Sequence, residues 1–114
     1  MIKFFDIVEE VIEEATHKFS PFFIVDKTKF ETLGTYCEVL DRVFKESDGE
    51  SMEVEVDEDN MSIKISFECP DLIIKKDRTF AELIRRSVSF GFSPTQDGLL
   101  SVRFVFPSVW NKAV

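Results

Sequence analysis

The 114-residue chain is expected to fold as a single α+β domain over residues 1–114. Two N-terminal helices would pack on a mostly antiparallel sheet of four to five strands, made of two hairpins with a short helix between them. Three observations predict this. Apolar residues recur at helical spacing over residues 2–18 and again from Phe30 to Phe44, an alternation of period two begins at Met52 and returns at Val88, and turn clusters separate these stretches.

The first helix is read from Phe4, Val8, Val11, Ile12, Ala15 and Phe19, which share one stripe while Glu9, Glu10, Glu13 and Glu14 fall elsewhere. His17 and Lys18 suit the negative end of its dipole, and Pro21 stops it. Phe22 to Val25 is apolar at every position but short, which suits either a buried connector or a short strand. The second helix is expected to start at a capping box of Thr28 and Glu31. Phe30, Leu33, Cys37, Leu40 and Phe44 then form its stripe, and Ser47-Asp48-Gly49 ends it. Gly34 lies within that stripe, where close packing against the first helix would offset a propensity cost of about 1 kcal/mol.

Met52, Val54 and Val56 alternate with acids, and after Glu58-Asp59-Asn60 the apolar set resumes with Met61, Ile63, Ile65 and Phe67. A hairpin with Val56 opposite Met61, Val54 opposite Ile63 and Met52 opposite Ile65 puts every apolar pair on one side and sets Glu53 opposite Lys64. Leu72-Ile73-Ile74 suits a short edge strand or an extended crossing. Thr79 and Glu82 form a second capping-box pattern, opening a short helix with Phe80, Leu83 and Ile84 inward. In the second hairpin Val88, Phe90 and Phe92 run to the turn 94–98, and Leu100, Val102, Phe104 and Phe106 run back. Val105 and Leu99 interrupt its polar face, so partial cover of that face by another element or subunit is expected. Pro107 ends the strand, and Trp110 would fold back as a lid.

Phenylalanine occurs 13 times against one Tyr and one Trp, so most aromatic surface lacks a polar handle and is suited to burial. Charge is uneven. Residues 1–60 carry 17 acids and 6 bases, and residues 61–114 carry 5 acids and 8 bases, for a net of −8. That is the wrong sign for coating a phosphate backbone or an anionic membrane, so neither nucleic acid nor membrane is expected as a direct partner. No apolar run approaches the roughly 20 residues of a membrane helix, and the N-terminus meets acids at once, which favours a cytoplasmic location.

The chemistry-bearing motifs are sparse. The glycines at 34, 49, 91 and 98 form no phosphate-binding loop. One histidine, His17, gives little basis for a zinc site or a catalytic triad, and Cys37 and Cys69 lack metal spacing and are expected as buried thiols. Asp57-Glu58-Asp59-Asn60 is oxygen-rich but lacks the glycine and the twelfth-position Glu of a calcium loop, so it reads as a hairpin tip. Neither a cofactor nor a metal is expected, and a non-enzymatic role is favoured.

Two surfaces remain as candidates. The acidic strip of Asp48, Glu50, Glu53, Glu55, Asp57, Glu58 and Asp59 is read as a partner-binding face for a basic protein, with imitation of nucleic acid as an extension by analogy of charge. The alternative is a small-molecule binder or enzyme, with an apolar pocket of Phe90, Phe92, Phe104, Phe106 and Trp110. In that reading Lys75, Lys76, Arg78, Arg85 and Arg86 hold an anionic group. A homodimer formed through the sheet or its Phe-bearing edge is a third reading.

Overall fold

The computed structural model describes residues 3–70 and 78–113. The element order is α1 (Phe4–Phe19), β1 (Phe23–Val25), α2 (Lys27–Glu46), β2 (Glu50–Asp57), β3 (Ser62–Cys69), α3 (Arg78–Arg86), β4 (Ser89–Pro94), β5 (Leu100–Phe106) and β6 (Trp110–Lys112). The fold is α+β: β2, β3, β5 and β4 form an antiparallel sheet in that order, and β1 pairs with β6 in a separate two-stranded sheet. Two N-terminal helices and a third between the hairpins agree with the sequence periodicities. Leu72-Ile73-Ile74 lies outside the described residues. Within them, no helix is long and apolar enough to cross a membrane.

Period-two alternation divides the large sheet cleanly. Ile63, Ile65, Phe67 and Cys69 of β3 and Val102, Phe104 and Phe106 of β5 are buried on the inner face. The helices lie against that face with Phe4, Val8, Ile12 and Ala15 of α1, Leu33, Cys37, Leu40 and Val43 of α2, and Phe80 and Leu83 of α3. Aromatic rings join the layers. Phe4 meets Phe44 edge-on at 5.4 Å, both meet Phe67, Tyr36 stacks on Phe106 at 5.2 Å, and Phe80 meets Phe104 at 5.9 Å.

Helix α1 is tied to α2 at its start, where the Phe4 N–H, unpaired within its own helix, donates to Asp41 Oδ1 at 2.9 Å. Gly34 serves the close approach its position suggests, since a Cβ there would lie 3.1 Å from Cε1 of Phe5. Helix α2 begins earlier than the expected capping box, because Asp26 is the residue whose side chain accepts from the Lys29 N–H, at 3.0 Å. Thr28 is thereby drawn into the first turn. Thr79 likewise lies inside α3, which is described from Arg78.

The first hairpin forms with a different register. Val56 faces Ile63, Val54 faces Ile65 and Glu55 faces Lys64, a shift of two residues from the expected pairing that keeps every side chain on its expected face. The turn chemistry accounts for it. The Asp57 carboxylate accepts from the backbone of Asp59 at 3.0 Å and of Asn60 at 3.4 Å, and Met61 adopts φ 55°, so Met61 belongs to the turn instead of opening β3. At the other end of β2 the pairing is irregular between Glu50 and Glu53, with Ser51 at φ 57°, which takes Met52 out of the ladder.

Of the apolar run Phe22 to Val25, Phe22 is an exposed turn residue and Phe23–Val25 is a strand with alternating exposure, whose partner is the segment after Pro107. Phe23 pairs with Lys112 and Val25 with Trp110. Trp110 is therefore a buried strand residue and not a lid: its ring meets Phe19 edge-on at 5.0 Å.

Candidate functional site

The large sheet has an outer face on which no described residue is buried. In register across it run Glu53, Ser66, Arg103 and Gly91, and beside them Glu55, Lys64, Val105 and Ser89. Carboxylates thus line the β2 edge, serines and Lys64 occupy β3, and Arg103 stands on β5. Val105 is half-buried between its neighbours, and no described element covers this face.

Glu53, Glu55 and Asp57 occupy successive outward positions of β2. Glu50 follows beyond the irregularity, opposite Glu68. Glu58 and Asp59 form the hairpin tip, and Asp48 sits at the opposite end of the strand with φ 52°. An eight-residue strand at about 3.3 Å per residue makes this a strip roughly 25 Å long. The fold collects all seven expected acidic residues along one edge, spread from end to end instead of converging.

Part of that charge is answered within the chain. Lys64 lies 3.5 Å from Glu55, and Lys18 of α1 reaches Glu58 at 2.9 Å, both between exposed or half-exposed side chains. Such pairs contribute about 0–1 kcal/mol in water. Asp57 is engaged by its own turn: bonds from the Asn60 side chain and from the backbone of Asn60 and Asp59 hold its carboxyl below the ordinary range. Glu53 faces Ser66 and has no ion pair among the described residues. It is the least compensated carboxylate at the middle of the strip.

Helix α1 contributes what sequence reasoning on the hairpin alone misses. It packs against β2, and Lys18, on the same side of the helix as Glu14 and Glu10 one and two turns before it, touches the tip. The acids of α1 and of β2, separated by some forty residues, consequently border the same edge of the molecule. Only the strong acidity of residues 1–60 hinted at this, without locating it.

The aromatic set is divided between the core and the sheet edge. Phe104, Phe106 and Trp110 are buried, Phe90 packs on Phe80 and Phe104, and Phe92 is 56% exposed at the edge strand. Phe106 does border a cleft of about 320 Å³, shared with Leu33, Tyr36, Pro107 and Ser108. Of the basic set, Lys75 and Lys76 lie outside the described residues. Arg85 and Arg86 both pair with Glu82, at 3.1 and 2.9 Å, which keeps the Glu82 carboxyl low. Arg78 and Arg85 border a second cleft of about 580 Å³ with Tyr36, Val39 and Glu82. Among the described residues, Phe106 and the pair Arg78 and Arg85 thus border two different clefts.

His17 is exposed at the end of α1, Cys37 and Cys69 are free and buried, and no cluster of metal-ligating side chains occurs among the described residues. Burial, with the charge of Asp41, pushes the Cys37 thiol up to about 12, which removes it from nucleophilic chemistry near neutral pH. Compared with known proteins, the chain matches no family, no curated protein and no solved structure.

Proposed function

We propose that the protein is an interaction module of the cytoplasm that presents the acidic β2 edge to a basic protein partner. The supporting observation is the placement of Glu53, Glu55 and Asp57 on the open face of a strand that is an edge of the sheet among the described residues, where Lys64 pairs with Glu55 and Lys18 with Glu58 while Glu53 makes no ion pair among those residues. A block of like charge raises self-repulsion, and a partner of opposite sign relieves it while gaining steered association.

Same-face residues of an extended strand recur about every 6.7 Å, so an extended basic segment with Lys or Arg at alternate positions matches the spacing of Glu53, Glu55 and Asp57.

The test is a salt-stepped pull-down from cell extract with the triple variant Glu53→Lys, Glu55→Lys and Asp57→Lys. A second triple variant, Glu31→Lys, Glu38→Lys and Asp97→Lys, changes net charge equally at other exposed sites. The proposal expects basic partners that elute with salt, are lost with the β2 variant and are kept with the control. Equal capture by all three proteins, with folding confirmed by circular dichroism, would refute it.

A further inference from the structure

We propose that the protein self-associates through β4, which pairs antiparallel with β4 of a second copy about a two-fold axis at Gly91. The strand reads Ser89-Phe90-Gly91-Phe92-Ser93, the same in both directions. An antiparallel pair centred on Gly91 therefore sets Phe90 against Phe92 of the second copy, Ser89 against Ser93, and Gly91 against its own counterpart. Side chains of like kind meet on both faces, as a closed two-fold interface requires.

The backbone supplies the matching bonds. β4 is an edge of the large sheet among the described residues. The Thr95 N–H donates to the Leu99 carbonyl at 2.8 Å, one step beyond the β4–β5 register. Antiparallel alternation from that pair turns the backbone groups of Ser89, Gly91 and Ser93 towards β5 and those of Phe90 and Phe92 towards the free edge. The proposed axis makes Phe90 and Phe92 the hydrogen-bonded pairs of the new ladder. The ladder stops where it must, because Pro94 has no N–H and the Val88 N–H already donates to Val105 at 2.7 Å.

The two edges of the sheet differ in charge. β2 carries Glu50, Glu53, Glu55 and Asp57 and would repel its own copy, a common guard on edge strands, whereas β4 bears no charged residue. Exposed apolar surface sits on β4 and just before it, with Phe92 56% and Val88 67% exposed. A second copy extends the sheet to eight strands, lines up Phe90 and Phe92 of both copies on one face, and leaves an acidic β2 edge at each far end. The proposal stands independently of what the acidic edge binds.

Like charges approach in this pairing. Each chain is −8 overall, and Arg103 lies over Gly91, close enough that a Cβ there would be 3.1 Å from its Nη2. Salt should consequently strengthen the dimer, the reverse of its effect on a contact between the acidic strip and a basic partner.

Sedimentation velocity on the full chain from about 5 to about 500 µM brackets a short ladder of this size, for which a dissociation constant on the order of tens of micromolar is expected. Phe92→Lys should raise that constant by about tenfold or more. Register is read by oxidative cross-linking. Gly91→Cys places two thiols at a non-hydrogen-bonded pair with Cα atoms about 4.5 Å apart and should form a disulfide dimer. Ser93→Cys places them about 14 Å apart and should not. A wild-type monomer throughout the concentration range overturns the proposal, as does a dimer indifferent to Phe92→Lys, or equal cross-linking of the two cysteine variants.

Discussion

The indole Nε1 of Trp110 donates to Oγ1 of Thr16 at 2.9 Å, and the Thr16 hydroxyl in turn donates to the Ile12 carbonyl at 2.6 Å. One side chain of α1 therefore satisfies the only polar group of a buried indole while remaining bonded to its own helix. The small β1–β6 sheet is fastened to the end of α1 through this contact and the Phe19 ring.

Thr16→Val keeps the shape of the side chain and removes the acceptor. The Trp110 N–H is then left without a partner in a largely buried position, which costs about 1–3 kcal/mol. Urea unfolding followed by Trp fluorescence should show a lower midpoint with an unchanged slope, whereas Thr16→Ser should lose less.

Gly49 illustrates a second constraint. Its position leaves no room for a side chain, since a Cβ would stand 2.4 Å from Cδ2 of Phe44, whose ring meets Phe4 and Phe67. Gly49→Ala has to displace that ring or the backbone, and overpacking of this kind costs about 1–3 kcal/mol. A thermal melt checks it, and the companion substitution Phe44→Leu should recover part of the loss.

The helices and hairpins are legible in the sequence because each repeats its period over many residues and buries the matching face. Phe4 to Phe19 and Leu33 to Phe44 mark their stripes unambiguously. The hairpin register is not legible, since a shift of two residues preserves every face and the choice rests on Asp57 accepting turn N–H groups, with Met61 in the left-handed region. The β1–β6 pair is hidden for a different reason: three residues carry too little alternation, and the partner of Phe23 lies at Lys112, almost the whole chain away. Of the candidate site, the acids of β2 can be read as a solvent-facing set, while their neighbourhood with α1 depends on tertiary packing. The phenylalanines of β4 and β5 look alike in sequence and differ in fate because, among the described residues, β5 is central and β4 is an edge.

Asp41 gives a pH-dependent prediction. Burial pushes its carboxyl above the ordinary range; the Phe4 N–H and Lys3 pull it back, and Asp6 and Glu38 push it further up. A folded-state pKa above the unfolded one means the native state holds a proton that the unfolded chain has released. The ionised group therefore costs stability as pH rises through the ordinary value to the raised one. Asp41→Asn keeps an oxygen for the Phe4 N–H and removes the charge. Denaturant midpoints should favour the variant near about pH 7 and converge with wild type near about pH 3, below the ordinary aspartate value of about 3.9.

Cys37 and Cys69 should both be silent to a thiol-specific disulfide reagent in the native protein near neutral pH. Burial leaves little thiolate at Cys37, and Cys69 is fully enclosed. Both should react once the chain is unfolded in guanidinium. Rapid reaction of a native thiol would mean that the helix–sheet core opens locally.

The most direct measurement of the acidic-edge account is an amide hydrogen-exchange footprint of the protein bound to the basic partner captured in the pull-down. Protection is predicted over Glu50–Asp59 and on the neighbouring turns of α1 around Glu10 and Glu14. Protection confined to the cleft between Tyr36 and Arg78, or to β4, with exchange along β2 unchanged, would contradict it.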